Sequence, residues 1–256
     1  MSSGFSRQFS KTVRDWWRDH AEERGAAATS SLFLRKLWEF ALESTPERRR
    51  QRYGDMEYDW ERRVDTTGGS VRWRDRLLGL FLSPYQPTEP ALFQAMMAGL
   101  EIEFNQFTFV DLGSGKGRTL LMASEYGFRK IVGVEILPAL HKITQDNLAR
   151  YKSESRKCFT VEAVCGDATE FSFPAEPTVL YLFNPLPESG LKRVLARLDA
   201  SLSADPRPVY VLYHNPLLEH LIAGNGKLKK MAGTPQYSVY TSRRGQSPAN
   251  SEALVS

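Results

Sequence analysis

Phe107-Thr-Phe-Val-Asp-Leu-Gly-Ser-Gly-Lys-Gly-Arg118 is the stretch on which the reading of the whole chain turns. Its first residues are apolar or β-prone and an acid follows at Asp111. Glycines stand at 113, 115 and 117, ahead of the helix-forming run Thr119-Leu-Leu-Met-Ala123. The pattern predicts a buried strand, a sharp turn and a helix start. Glycine allows such a turn and lets a ligand lie against the backbone without a Cβ in the way.

Three ligand classes compete for a loop of this kind. A P-loop requires Gly-x-x-x-x-Gly-Lys-Ser/Thr. Lys116 follows Gly115, but Val110 and Gly117 stand where the first glycine and the magnesium-binding hydroxyl belong. A dinucleotide loop prefers Gly-x-Gly-x-x-Gly with a pyrophosphate on the helix N-terminus. Here the third glycine comes one residue early, and Asp111 would face the pyrophosphate poorly. A cationic ligand reverses that objection: S-adenosylmethionine carries a sulfonium and an ammonium and no phosphate.

Further strands extend the pattern. Lys130–Glu135 is apolar and ends in an acid about 20 residues past the loop, where a carboxylate can bind ribose hydroxyls. Phe159–Cys165 leads to Gly166-Asp167-Ala168, suited to an adenine amino group. Val179–Phe183 ends in Asn184-Pro185. Each places a ligand-suited group at a strand's C-terminal end, where open α/β sheets bind their ligands.

On Asp111–Gly117, Glu135, Asp167 and Asn184-Pro185, the chain resembles the class I S-adenosylmethionine-dependent methyltransferases over about Ser83 to Arg243. The Asp-x-Gly-Ser-Gly-x-Gly form is also similar to the glycine loop of protein lysine methyltransferases related to the Dot1 group. The resemblance implies S-adenosyl-L-methionine as cofactor, held by Tyr85, Asp111, Gly113, Ser114, Gly115, Gly117, Glu135, Ile136, Asp167, Ala168 and Asn184. It implies catalytic roles for Asn184 and Pro185. In amino-directed relatives, an Asn or Asp before Pro-Pro-aromatic accepts hydrogen bonds from the target amine. Here the run is Asn184-Pro-Leu-Pro187, which departs from that pattern.

Each residue also has a structural reading. Asp111 can cap its own turn, and Asp167 can cap its loop. Glu135 would otherwise carry an uncompensated desolvation cost at the end of a buried strand. Lys116 and Arg118 are read as facing solvent or acidic neighbours, with acceptor contact the alternative. Asn215-Pro216, after Tyr213 and His214, is a second Asn-Pro strand end. His214 is either a general base or a satisfied structural histidine.

Strand–helix alternation predicts an α/β fold: a Rossmann-like, seven-stranded, mostly parallel sheet closed by an antiparallel strand, with an N-terminal helical extension. The predicted strands are 107–112, 130–136, 159–165, 178–183, 208–214, 227–232 and 236–242, with helices 118–126, 138–151, 188–202 and 216–223. Thr88 is the expected cap of a helix from Glu89 to about Leu100. The expected division is a helical extension or lid at 1–82, a methyltransferase domain at 83–243 and a disordered tail at 244–256.

In the extension, Lys11–Arg24 and Ser31–Glu43 have helical spacing, separated by 25–31 with Ser30 or Ser31 as N-cap. Leu34, Leu37, Trp38 and Ala41 form the expected inward stripe, and the tryptophans are read as packing residues. Residues 53–83 are expected to be irregular, with a turn at 65–69. Arg48-Arg-Arg50, Arg52, Arg62, Arg63, Arg72, Arg74 and Arg76 make a basic section, interleaved with acids, that does not favour nucleic acid.

The 256 residues are 41% hydrophobic and carry a net charge of only +4. No apolar run approaches the ~20 residues of a membrane span. Cys158 and Cys165, on one extended strand, would lie roughly 23 Å apart and cannot pair, which fits a cytoplasmic protein. No Cys/His spacing suggests a metal. The expected reaction is methyl transfer to nitrogen on a protein or small molecule. A non-catalytic cofactor-binding module and an aminopropyl transferase are the alternatives.

Overall fold

A computed structural model describes residues 2–43, 56–67 and 85–242. Outside them lie Arg48 to Arg52, Arg72, Arg74, Arg76, the end of the 65–69 turn, Ser83-Pro84 and the 244–256 tail.

Two helices open the chain, α1 (Ser2–Arg24) and α2 (Ala26–Glu43). Gly25 alone breaks them, at φ +81°. The expected break at 25–31 is therefore helical, and Ser30 is no cap: its hydroxyl donates to the Ala26 carbonyl one turn back. Phe33 packs against both Trp16 and Trp17 of α1. That contact sets α2's inward face, so Leu34 and Trp38 of the expected stripe are exposed while Leu37 is half-buried.

The stretch expected to be irregular contains a helix, α3 (Met56–Arg62). Then come α4 (Pro90–Ala98), β1 (Thr108–Leu112), α5 (Arg118–Ala123), β2 (Lys130–Glu135), α6 (Pro138–Arg150), β3 (Val161–Cys165) and β4 (Thr178–Phe183). The chain continues through α7 (Glu188–Ala204), β5 (Val209–His214), α8 (Glu219–Ala223), β6 (Lys229–Gly233) and β7 (Tyr237–Thr241). Thr88 does not cap α4. Glu89 holds that position without a side-chain bond, because the Thr88 hydroxyl is engaged with Tyr181.

The strands form one sheet in the order β3-β2-β1-β4-β5-β7-β6. The first five pair in parallel, and β7 runs antiparallel to both β5 and β6. Two-residue alternation sends Phe109, Ile131, Val179 and Tyr181 to one face, against Phe93 and Met96 of α4. It sends Val110, Val132, Leu180 and Val211 to the other, against Leu191, Val194 and Leu198 of α7. Full burial of one such side chain contributes about 1.5–3 kcal/mol. Strand order reverses beside β1, which opens a crevice at the carboxyl ends of β1 and β4, the position where such sheets bind ligands.

Candidate active site

The glycine loop leaves the tip of β1 with Gly113, Gly115 and Gly117 all at positive φ (93°, 56° and 80°). A different part of the molecule presses on each. A Cβ at Gly113 would sit 2.5 Å from Cβ of Pro185, and one at Gly115 would sit 2.3 Å from the Tyr85 ring. One at Gly117 would sit 2.6 Å from Thr144. The backbone N–H groups of Gly113 and Ser114 donate to the Val134 carbonyl (2.8 and 3.0 Å), fixing the loop to the tip of β2. The Ser114 hydroxyl is buried with no hydrogen-bond partner among the described residues.

Glu135, at the end of β2, is buried. Its carboxylate accepts the backbone N–H of Gly115 (2.9 Å) and of Leu137 (2.8 Å). Burial pushes its pKa up to about 7 against those bonds. Asp111, at the end of β1, accepts the Thr119 hydroxyl. Burial raises its pKa to about 7 as well; the Thr119 bond opposes this and Glu135 adds to it. Two desolvated carboxylates flanking one loop make a site that a positively charged ligand stabilises and a pyrophosphate opposes. These residues therefore fit S-adenosylmethionine, whose sulfonium and ammonium lower the cost of ionising both acids. Ile136 follows Glu135, half-buried.

Asp167 takes up its loop-capping role. It accepts the backbone N–H and the hydroxyl of Thr169 (both 2.8 Å) and starts a short turn at Ala168–Glu170. It stands past the tip of β3, beside the tip of β2. Cys158 precedes β3 rather than lying on it, and both cysteines are free.

At the other side of the crevice, Asn184 and Asn215 end β4 and β5 at φ +42° and +49°, a region that asparagine tolerates better than most side chains. The Asn184 amide donates to the Asn215 carbonyl (2.5 Å), and its carbonyl accepts the Tyr213 hydroxyl (2.8 Å). Tyr213 in turn accepts the Leu218 N–H (3.2 Å). A peptide N–H can only donate and a peptide carbonyl can only accept, so every hydrogen in this chain has a fixed direction. One lone pair of the Asn184 carbonyl is left.

Thr88, Tyr181 and His214 form a second buried chain (2.7 and 2.8 Å). His214 also stacks on Phe183, with centroids 3.7 Å apart. Burial lowers its pKa to about 4, which keeps the ring neutral and favours the structural reading over the general base.

Lys116 and Arg118 do not face solvent. Both are buried and reach acidic neighbours that the sequence did not single out. The Lys116 ammonium meets Asp65 (2.7 Å) and the Arg118 guanidinium meets Asp59 (3.3 Å). Asp59 was visible only as part of an interleaved charge pattern and Asp65 only as the start of a turn; what pointed to acids at all was the pair of cations flanking Gly117.

Residues 83–178 match the family model described as "Histone methylation protein DOT1". A search of curated proteins finds no match. Among solved structures, the chain is similar to an RNA methyltransferase from Salinibacter ruber in complex with S-adenosyl-L-homocysteine, at 25% identity and a TM-score of 0.42, over 61% of this chain and 92% of that one. It is similar to a predicted N6-adenine-specific DNA methylase from Listeria monocytogenes at 14% identity and a TM-score of 0.45, over 60% of this chain and about half (51%) of that one. A ribosomal protein L11 methylase from Lactobacillus delbrueckii gives 16% identity and a TM-score of 0.42, over 61% and 77%. The sheet order, the glycine loop with its flanking acids and the family match over residues 83–178 agree on the fold and loop of a class I S-adenosylmethionine-dependent methyltransferase, and the site residues suit S-adenosylmethionine as cofactor.

Proposed function

We propose that this methyltransferase acts on nitrogen, with a protein amine as the favoured acceptor and a small-molecule amine as the other. The observation that carries this reading is the contact of Pro185 with Gly113. It sets the Asn184-Pro185 turn against the first glycine of the loop, so carbonyl oxygens at the end of β4 lie beside the cofactor site. The description of the matching family as a histone methylation protein supports a protein acceptor.

In this reading the cofactor is held by Tyr85, Asp111, Gly113, Ser114, Gly115, Gly117, Glu135, Ile136, Asp167, Ala168 and Asn184. Glu135 takes the ribose hydroxyls, exchanging a backbone N–H for them, and Asp167 or its neighbouring amide takes the adenine. S-Adenosylmethionine supplies the methyl group. Asn184 uses the remaining lone pair of its side-chain carbonyl to accept an acceptor N–H, and Pro185 holds the turn against the loop. Their work is alignment: a nitrogen lone pair aimed along the S–CH3 axis gains most of what a positioned reactant can gain. The catalytic domain is 83–243, preceded by the extension at 1–82.

An aminopropyl transferase would need free acids to hold a polyamine. Asp59 and Asp65 are engaged by Arg118 and Lys116 instead. Incubating the protein with methyl-labelled cofactor and fractionated lysate tests the acceptor. Base-stable label in the protein or amine fraction is expected. Base-labile ester label, or label confined to nucleic acid, would overturn the nitrogen-on-protein reading.

A further inference from the structure

We propose that Lys116 and Arg118 are positioning residues of the cofactor site, and that the segment Met56–Thr67 of the N-terminal extension is an obligatory part of that site. The proposal rests on the reading that the 113–117 loop and Glu135 hold the cofactor.

The two cations flank Gly117, the last glycine of the loop, and their side chains are 0% and 2% exposed. A buried ammonium or guanidinium is costly unless paired and hydrogen-bonded. Burial pushes the Lys116 pKa down, and the Asp65 carboxylate acts against it. Lys116 Nζ donates to Asp65 (2.7 Å) and to the Thr67 carbonyl (2.6 Å). Arg118 Nε donates to the Thr66 hydroxyl (2.6 Å), a second guanidinium nitrogen reaches Asp59, and the group lies 4.7 Å over the Tyr58 ring. Asp59 gathers the segment in turn, accepting the backbone N–H of Thr66 and Thr67 (2.6 and 2.8 Å).

Two further residues carry this arrangement to the loop backbone. The Asn147 carbonyl accepts the Asp65 N–H, while its amide donates to the carbonyls of Asp65 (2.8 Å) and Lys116 (2.9 Å). One side chain thus holds both strands of the contact. The Tyr85 hydroxyl donates to the Thr66 carbonyl (2.5 Å) while its ring lies against Gly115. The Gly115 N–H is the one that Glu135 holds. A displacement of residues 59–67 is therefore felt at Gly115 and at the ribose acid. Lys116 and Arg118 act on the cofactor through the loop they pin, and they are turned toward the segment rather than toward an acceptor.

Calorimetry with S-adenosylhomocysteine, paired with melting curves on the full chain, tests this without an acceptor. The variants are Asp65→Asn, Lys116→Met, their combination, and Lys116→Arg. The Asp65 side chain is 45% exposed and asparagine keeps an acceptor oxygen for the Lys116 ammonium, so Asp65→Asn is the milder of the two single variants. Asp65→Asn and Lys116→Met should each weaken binding about tenfold, as for loss of a charge-assisted contact. The combination should do no worse than the weaker-binding single variant, and Lys116→Arg should recover most of the affinity. A purely structural clamp would move the melting temperature and leave the affinity alone. Glu135→Ala, run in parallel, separates two failures. Wild-type affinity in Asp65→Asn beside a loss in Glu135→Ala overturns the clamp and leaves the cofactor reading standing. Wild-type affinity in both overturns the reading of the loop and the proposal with it.

Discussion

At the tips of β1 and β2, side chains are spent on holding backbone: Glu135 takes two N–H groups, Asn147 three peptide groups, and Lys116 and Arg118 draw residues 59–67 onto the loop. At the tips of β4 and β5 they are spent within the pair of strand ends: Asn184 on the Tyr213 hydroxyl and the Asn215 backbone carbonyl, and His214 on the Tyr181 hydroxyl. Close by, Leu217 stands 72% exposed. The first arrangement fixes a backbone surface for a ligand of invariant shape. The second ties two neighbouring strand ends to each other, the side on which the proposed reading puts the acceptor. The family match has the same boundary: it ends at residue 178, the first residue of β4.

The largest expected effect is at the loop itself. Gly115→Ala adds a Cβ at φ +56°, where an L-residue pays about 1–2 kcal/mol, and drives it into the Tyr85 ring. Cofactor binding should be lost and the melting temperature lowered by several degrees. Adding Tyr85→Ala should restore part of the stability but not the binding. Full recovery of binding in the double variant would mean that the loop's conformation matters less than its occupant.

Asn184→Ala probes the opposite tip. Single-turnover methyl transfer should drop on the order of 100-fold, since ~1 Å of misalignment costs that much, while S-adenosylhomocysteine affinity should fall far less. If affinity falls as far as rate, the two tips are one unit and the contrast between them fails.

Glu135→Ala should weaken S-adenosylhomocysteine binding by about 1.5–3 kcal/mol, the range for hydrogen bonds to a charged group. Equal affinity in calorimetry would move the ribose away from β2.

A smaller, pH-dependent effect separates the tips electrostatically. Asp111 and Glu135 keep their protons up to about pH 7 in the folded chain, whereas solvated aspartate and glutamate side chains lose theirs near 3.8 and 4.5. Between those limits the native state holds more protons, so these groups' contribution to stability falls as pH rises through the interval. His214 has the opposite sense. Its folded pKa of about 4 lies below the ordinary histidine value of 6.5, so its contribution is lost as pH falls from 6.5 to 4. A cationic cofactor favours both ionised carboxylates. Binding of S-adenosylmethionine at about pH 6 should therefore release protons, dwindling above about pH 8, when titrated in buffers of different ionisation enthalpy. Proton uptake at pH 6 would contradict the assignment.

Much of the fold was legible because period-2 burial and glycine punctuation are local. All seven strands fall within two residues of their expected limits, and the cofactor class followed from Asp111 and the glycine spacing. The misreadings came from long-range choices. Thr88 has the chemistry of an N-cap, but a buried tyrosine hydroxyl on β4 claims it. The inward face of α2 depends on where Phe33 meets α1, which helical spacing alone does not fix. Asp59 read as one of several interleaved acids and Asp65 as a turn residue, because nothing local tells an acid that it will meet a buried cation more than 50 residues away.

Titration of the wild-type protein with S-adenosylhomocysteine, beside NAD and ATP at the same concentrations, tests the central claim most directly: that the β1–β2 tip is a site for a phosphate-free, cationic nucleoside cofactor. The account predicts saturable one-to-one binding of the sulfur ligand, weakened in Glu135→Ala, and no heat from either phosphate ligand. A folded protein that gives no heat with S-adenosylhomocysteine, or that binds ATP as well, would contradict it.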